Sequence, residues 1–299
     1  MKLRLCAMTI GGLLLSAMPS AHAQPKPMPR YTIEDVGAAN RTLESITQSL
    51  NQHGQVCSWR EFSLKGSPIV LWEGGKERLI PSQIEGYPIL LPAGINAQGS
   101  VVGIAKTKED NKHGKAFLWQ EDKFLVLPGL GGNDEAAWAL NASGQIVGVA
   151  QTPDKNSHAC IWQDGKIKDL GTLPKGKFSI AEAINAQGWV VGVAEEKPNG
   201  NRRAVLWKEG KTIDLGIYPG GTLSHARAIN DKGEIAGWVD TSDREIEAAV
   251  WRNGKLKKLE GLGDAPSSAW DINNNGHGRW TLDGRTGGRT GGRSSSMKA

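Results

Sequence analysis

The chain has 299 residues, 39 glycines, 11 tryptophans and a formal net charge of +5. Its basic excess lies at the two ends, so the body lacks the clustered basic residues that a nucleic-acid-binding face requires, and no nucleic-acid partner is expected. The length allows one large domain or two, and abundant glycine indicates a turn-rich all-β protein.

Residues 1–23 have the features of a secretory signal peptide. Lys2 and Arg4 precede an apolar region, and Ala21-His22-Ala23 supplies the small residues of a cleavage site. The apolar region is too short and too interrupted for a membrane span. We therefore expect an exported protein, extracellular or periplasmic, with no membrane span in the mature chain.

Two short segments follow the signal peptide. Residues 24–30 form a proline-rich leader that we expect to be flexible. Tyr31–Gly37 resembles the last strand of the repeat described below, as in Lys166–Gly171. A lone last strand at the N-terminus predicts closure of a circular fold by pairing with the final strands of the chain.

A repeat of roughly 45 residues occupies residues 31–276. One anchor is an apolar residue followed by Asn-x-x-Gly, and the other is a tryptophan that ends a short apolar run. Two anchors that keep the same period indicate a single repeat domain. The asparagines are Asn51, Asn96, Asn141, Asn185, Asn230 and Asn273, and the tryptophans are Trp72, Trp119, Trp162, Trp207 and Trp251.

Each copy contains four strand signals separated by turn residues. Asn-x-x-Gly predicts a tight turn between the first two strands, because both residues tolerate positive φ. Glycine inside the second strand, as at Gly148 and Gly192, indicates close backbone approach or a β-bulge there. Alanines before the turn, such as Ala181 and Ala183, suit innermost strands that converge on an axis, and we expect the tryptophans to fill the space between copies.

Four antiparallel strands per copy predict a β-propeller of about six four-stranded blades. A β-solenoid is the structural rival, but four strands are too many for one coil. The last blade is predicted to be incomplete, because residues 277–299 form a low-complexity Gly/Arg/Ser tail. This tail is either natural or the product of a truncated or frame-shifted end.

Cys57 and Cys160 are the two cysteines of the mature chain. An exported protein invites a disulfide. The repeat places these residues in apolar strand positions of different blades, whereas a disulfide needs Cα atoms within about 7 Å. We therefore predict two buried thiols.

No motif for catalysis or metal binding is present: the chain lacks H-E-x-x-H, G-x-S-x-G and C-x-x-C. No catalytic residue, cofactor or metal site is therefore assigned. Asn133-Asp134-Glu135 offers oxygen ligands for calcium, but it lacks the spacing of a calcium loop.

Function in repeat folds concentrates in loops where the copies differ. The loops before the first strands supply six candidate ligand-binding residues: Asn133, Asp134, Glu135, Ser179, Ser224 and His225. The serines recur at strand starts, where capping of backbone amides is the alternative to a ligand ring. Clustering of Asp134, Glu135 and His225 around one cavity would favour an enzyme.

The segments His158–Trp162 and Asp169–Leu173, followed by the Asn-x-x-Gly turn and an apolar-Val-Gly strand, resemble the HAF-repeat family of bacterial exported proteins. The resemblance covers about residues 31–276. It implies an extracellular or envelope protein with a propeller-like fold, and it brings no activity with it.

The predicted function is that of an exported, non-catalytic binding or scaffold protein, monomeric, that contacts a glycan or a protein through its propeller loops. The alternative is a propeller enzyme that acts on envelope or extracellular polysaccharide. A third reading is that this copy, with its altered end, has no function of its own.

Overall fold

A computed structural model describes residues 45–60, 67–107, 113–259, 266–282 and 294–298. In these residues the secondary structure is entirely β and forms six antiparallel sheets. The signal peptide, the leader and the predicted closing strand at 31–37 lie outside the described residues. In the part of the chain that is described, no helix has the length and apolarity needed to span a bilayer.

The predicted propeller is confirmed, with five four-stranded blades and a sixth sheet of three strands. Blade one contains β1 (Ser45–Leu50), β2 (Val56–Arg60), β3 (Ile69–Glu73) and β4 (Lys76–Ile80). Blade two contains β5 (Ile89–Ile95), β6 (Val101–Lys106), β7 (Gly114–Gln120) and β8 (Lys123–Val126). Blade three contains β9 (Glu135–Leu140), β10 (Ile146–Gln151), β11 (Ser157–Gln163) and β12 (Lys166–Asp169).

Blades four to six continue the same order. Blade four contains β13 (Ser179–Ile184), β14 (Val190–Glu195), β15 (Arg202–Lys208) and β16 (Lys211–Asp214). Blade five contains β17 (Ser224–Ile229), β18 (Ile235–Asp240), β19 (Ile246–Arg252) and β20 (Lys255–Lys258). Blade six contains β21 (Ser267–Ile272), β22 (His277–Leu282) and β23 (Ser294–Lys298).

Blade six extends beyond the point where the sequence pattern ends. The sequence analysis placed the end of the repeat domain at Gly276, whereas β22 and β23 lie in the segment assigned to the tail. β22 pairs with β21 from Ser267↔Leu282 to Ile272↔Gly278. Ladder hydrogen bonds use backbone groups, so a return strand forms after the Asn-x-x-Gly turn without the apolar pattern of the other blades.

The Asn-x-x-Gly turn forms where it was predicted, with positive φ at the glycine but not at the asparagine, which acts through its side chain. Asn185 Oδ1 accepts hydrogen bonds from the backbone amides of Gln187 (3.1 Å) and Trp189 (2.9 Å). The amide of Gly188 donates to the Asn185 carbonyl at 3.1 Å, and Gly188 has φ +77°. Glycine relieves the strain of this left-handed conformation. The asparagine therefore fixes the turn between the first and second strands.

The same asparagines also join consecutive blades, which the sequence pattern did not predict. Each side-chain amide donates to the backbone carbonyl of the next repeat asparagine. The distances are 2.8 Å for Asn51 to Asn96, 3.3 Å for Asn96 to Asn141, 3.1 Å for Asn141 to Asn185, 3.1 Å for Asn185 to Asn230 and 3.0 Å for Asn230 to Asn273. We call these six residues the asparagine ladder.

Glycines in the second strands allow the close backbone approach that was predicted. A Cβ atom on Gly192 would lie 2.0 Å from the carbonyl oxygen of Ile180, and one on Gly237 would lie 1.9 Å from that of His225. Any side chain at these positions would collide with the innermost strand of its own blade. The glycines thus allow the first two strands to approach closely in blades two to five.

The hydrophobic core is divided among the blade interfaces. Val147 and Ala159 of blade three pack with Ala181, Val190 and Trp207 of blade four. Four of the tryptophans that end the third strands are buried, with Trp162 and Trp251 each 1% exposed, and Trp72 of blade one is partly buried. The prediction that these tryptophans fill the space between blades is confirmed. Neighbouring blades therefore share each apolar cluster.

The two thiols lie in separate apolar clusters. Cys57 packs in the cluster between blades one and two, and Cys160 packs in the cluster between blades two and three. Both are buried and unbonded to each other. Burial raises the pKa of Cys57 to about 12, although a backbone hydrogen bond from Ser49 opposes the effect. Burial, aided by the charges of Asp169 and Glu135, also raises the pKa of Cys160.

Candidate functional site

The predicted acidic loop makes structural hydrogen bonds at the entrance of β9. Asp134 Oδ1 accepts from the backbone amide of Gly114 at 2.8 Å, and the Asp134 carbonyl accepts from the amide of Gln151 at 2.8 Å. The backbone amide of Asn133 donates to the side chain of Gln151 at 3.2 Å. These contacts tie the loop before blade three to blades two and three.

Glu135 is the buried member of this loop, with 1% of its surface exposed. Its Oε2 lies 2.8 Å from Nζ of Lys115 on β7, so the ion pair spans blades two and three. Its Oε1 is buried without a hydrogen-bond partner. A Cβ atom on Gly129 would lie 2.2 Å from Oε1, so the absence of a side chain there makes room for the carboxylate.

Ser179 and Ser224 occupy the same strand-entry position in blades four and five, and both are fully buried. Ser179 Oγ accepts from the amide of Ala159 (2.8 Å) and donates to the carbonyl of Gly171 (2.8 Å). Ser224 Oγ makes the two equivalent hydrogen bonds, at 2.9 Å and 2.6 Å, with backbone groups of the blade that precedes its own. Both hydroxyls are thus engaged in hydrogen bonds that join adjacent blades.

His225 is the predicted residue that leads to a cluster of functional side chains. Its Nε2 lies 3.0 Å from Oε1 of Glu182 on β13, the innermost strand of the preceding blade. Its ring lies 5.4 Å from that of Trp238, with a tilt of 44°. His225, Asp134 and Glu135 therefore have different partners, and the described contacts do not bring these three together.

Each innermost strand contains a β-bulge three residues before its ladder asparagine. The strand register skips one residue there in every blade. A bulge residue has no partner in the ladder and its side chain is re-aimed, which is why bulges are common near functional sites. The bulge residues are Gln48, Ala93, Trp138, Glu182, Arg227 and Trp270.

The bulge residues of blades four to six interact across the blade boundaries. The Arg227 guanidinium lies over the Trp270 ring, 4.0 Å from its centroid. The negative charge of Glu182 on the preceding blade also acts on Arg227. Glu182, His225, Arg227, Trp238 and Trp270 therefore form one group, which we call the inner-strand cluster.

The guanidinium of Arg227 carries a positive charge within this cluster. Its Nε is buried without a hydrogen-bond partner, and no ion pair involves its guanidinium among the described residues. Burial lowers the pKa of Arg227, and the charge of Glu182 partly opposes this effect. Trp270 is 41% exposed, so solvent and ligands reach this side of the cluster.

Sequence reasoning missed the cluster apart from His225. It interpreted the innermost strands as requiring small side chains, because alanines recur there. In the structure, Ala181 and Ala226 are fully buried and pack between blades, and the residues that follow them are the large bulge residues. The usable signal was a charged or aromatic residue between two alanines, as in Ala181-Glu182-Ala183 and Ala226-Arg227-Ala228.

Two further clefts, among the described residues, are small. These clefts, of about 230 and 260 Å³, lie between blades two and three and between blades three and four. Both are below the usual size of small-molecule sites, and residues at equivalent repeat positions, such as Gly144 and Gly188, contribute to them. Within the described residues, no three His, Cys, Asp or Glu side chains are grouped so as to hold a metal ion.

Solved structures similar to this chain define its class as a β-propeller. One is a puromycin-hydrolysing peptidase of Mycobacterium tuberculosis, with 12% identity and a TM-score of 0.54 over 83% of this chain and 43% of that one. Another is the β-propeller domain of the Trilobed protease from Pyrococcus furiosus, with 12% identity and a TM-score of 0.52 over 80% of this chain and 79% of that one.

TolB from Acinetobacter baumannii is also similar, with 13% identity and a TM-score of 0.49 over 73% of this chain and 55% of TolB. This chain therefore spans about half the length of TolB and less than half of the peptidase. At such identities the likeness shows the fold alone. No family model and no curated protein sequence matches the chain.

Proposed function

We propose that this chain is an exported, non-catalytic binding protein of the HAF-repeat type, and that it binds a glycan at the inner-strand cluster. One observation carries the proposal: the bulge position of the innermost strands differs in chemistry between blades, while the surrounding positions repeat. In blades four to six it holds Glu182, Arg227 and Trp270. Repeat proteins place function where copies differ.

The chemistry of the cluster suits a sugar ring. A sugar presents an apolar C–H face and an edge of hydroxyl groups. The indoles of Trp238 and Trp270 supply flat apolar surface, while Glu182 and Arg227 supply hydrogen-bond acceptors and donors. Ligand sites usually combine such aromatic surface with a few placed polar groups.

A glycan is favoured over a protein by the size of the cluster. The cluster has five side chains, four on innermost strands and Trp238 on the second strand of blade five, which suits a ligand of one or two sugar rings. A stable protein interface needs about 800 Å² on each partner. The loop candidates Asp134, Glu135, Ser179 and Ser224 are engaged in contacts between segments of the fold, which supports placing the ligand on the innermost strands instead.

The test is isothermal titration calorimetry of the full chain against a panel of neutral and acidic oligosaccharides. We expect Trp270→Ala to weaken glycan binding by about tenfold or more, which corresponds to about 1.4 kcal/mol. Trp189→Ala is the matched control, because Trp189 is also partly buried and lies under a cation, with Lys208 Nζ 3.7 Å from its ring centroid, but outside the cluster. Equal losses in both variants, or no binding by any oligosaccharide, would refute the proposal.

The alternative function, a propeller enzyme acting on envelope or extracellular polysaccharide, is favoured by the Glu182–His225 pair. A carboxylate 3.0 Å from an imidazole is an arrangement that serves general acid–base catalysis. Release of new sugar ends from a bound polysaccharide, lost in Glu182→Gln, would support this function. Binding without turnover would support the non-catalytic one.

A further inference from the structure

Arg227 differs from the other half-buried arginines in having no anionic partner. Arg203 lies 3.0 Å from Glu196, and Arg252 lies 2.8 Å from Glu234. Arg227 makes no such pair among the described residues; its Nε is enclosed without a hydrogen-bond partner, as are those of Arg203 and Arg252, but Arg227 alone of the three lacks a neighbouring carboxylate in an ion pair. Removing a cation from water without a partner is unfavourable. The innermost strands therefore hold a guanidinium whose hydrogen bonds remain to be made.

The surroundings of Arg227 determine which groups are left free. Trp270 covers one face of the guanidinium at 4.0 Å, and stacking leaves the N–H groups at the edge available. The negative charge of Glu182 acts on Arg227, but Glu182 Oε1 lies 3.0 Å from His225 Nε2. The edge of the guanidinium is thus the unused donor surface of the cluster.

We propose that the glycan bound by the inner-strand cluster is acidic, and that Arg227 receives the carboxylate of a uronic acid residue. This inference rests on the proposed function. A planar carboxylate matches the guanidinium edge with two parallel hydrogen bonds. A singly charged group also suits the site, because the negative charge of Glu182 opposes a doubly charged phosphate at the same place.

The experiment compares matched pairs of ligands on the full chain by calorimetry at low ionic strength. The probes are trimers of galacturonate and of mannuronate, a hyaluronan tetrasaccharide, and the carboxyl-reduced form of each, which has the same ring and no charge. We expect at least one acidic probe to bind about tenfold or more tightly than its reduced form, as for a charge-assisted hydrogen-bonded pair.

Variants test whether the preference for acidic over reduced probes depends on Arg227. Arg227→Met is expected to abolish the difference between acidic and reduced probes while leaving weak binding to both. Arg252→Met is the matched control, because Arg252 is another partly buried arginine, on β19 outside the cluster, and the preference is expected to persist there. Circular dichroism checks the fold of each variant. If Arg227→Met fails to fold, Arg227→Lys replaces it in the experiment. Lysine keeps the charge but cannot donate two parallel hydrogen bonds, so this variant is expected to reduce the preference about tenfold.

The outcomes separate the two proposals. Equal binding of acidic and reduced probes would overturn the acidic-glycan inference and leave the glycan-binding function standing. A preference for the acidic probes that survives Arg227→Met would also overturn the inference. No binding of any sugar, neutral or acidic, would overturn both.

Discussion

Glu135 shows how one substitution in a repeat is accommodated by neighbouring residues. Blades four and five have a buried serine at this position, with both hydrogen-bonding capacities of the hydroxyl satisfied. Blade three has a buried carboxylate, and Lys115 of the preceding blade neutralises it. The two residues form a coupled pair, because a buried charge is tolerated only with its partner.

We predict that Lys115→Met lowers the free energy of unfolding by about 3 kcal/mol, because it leaves Glu135 charged and unpaired in the interior. The double variant Lys115→Met/Glu135→Ser is expected to recover most of this loss, because serine is the residue that other blades use here. Urea unfolding of both variants measures the two effects. A double variant no more stable than the single one would contradict the coupling.

At the scale of the single element, the innermost strand combines a predictable and an unpredictable part. Its boundaries, its turn and the glycine facing it follow from the Asn-x-x-Gly pattern, because turn geometry and backbone contact restrict residue type strongly. The bulge in the innermost strand could not be predicted from this pattern, because the register of that strand is set by its pairing with the second strand. Consequently Glu182 and Arg227, two residues of the proposed site, were missed, whereas His225 was found through its loop position.

Two residues of the asparagine ladder allow the hydrogen bond between blades to be tested separately from the turn. In Asn185→Asp, Oδ1 still accepts from Gln187 and Trp189, but the donor to Asn230 becomes an oxygen that faces a carbonyl. We predict a loss of about 2 kcal/mol in unfolding free energy, because two acceptors then face each other without a proton.

Asn273→Asp is the control for this ladder variant. Asn273 makes the same turn contacts, is exposed, and has no acceptor for its side-chain amide among the described residues. Its loss of stability is expected to stay below about 1 kcal/mol, the value of an ordinary hydrogen bond. Similar losses in Asn185→Asp and Asn273→Asp would mean that the turn, and not the junction between blades, accounts for the effect.

At the scale of the whole molecule, the blades stabilise one another, because each apolar cluster contains residues of two neighbouring blades. The propeller class followed from the repeat alone, since a period of roughly 45 residues with four strands has few other solutions. The ladder between blades and the strands of blade six after Gly276 did not follow, because both depend on backbone groups that residue types do not reveal.

The pKa of Cys57 makes the stability of the molecule depend on alkaline pH. Its folded-state pKa is about 12, against an ordinary value of 9.0. The folded state keeps the proton that the unfolded state releases, so the stabilisation is complete below pH 9 and is lost as pH rises toward 12. We predict that the wild-type protein loses up to about 1.4 kcal/mol per pH unit in this range relative to Cys57→Val.

Valine is the appropriate replacement because Val102 and Val147 occupy the equivalent positions of blades two and three. Denaturant unfolding of both proteins between pH 8 and pH 11 measures the difference, and groups common to both cancel. Parallel stability curves for the two proteins would show that Cys57 ionises at the same pH in the folded and unfolded states.

The asparagine ladder also bears on how such a chain can change in length during evolution. Each of the five junctions between described blades uses the same donor and the same acceptor, in the direction from one blade to the next. This is a head-to-tail contact, which sets no number of units by itself. Duplication or deletion of one whole repeat in the gene therefore preserves every remaining junction, whereas an insertion that shifts the turn separates an amide from its carbonyl.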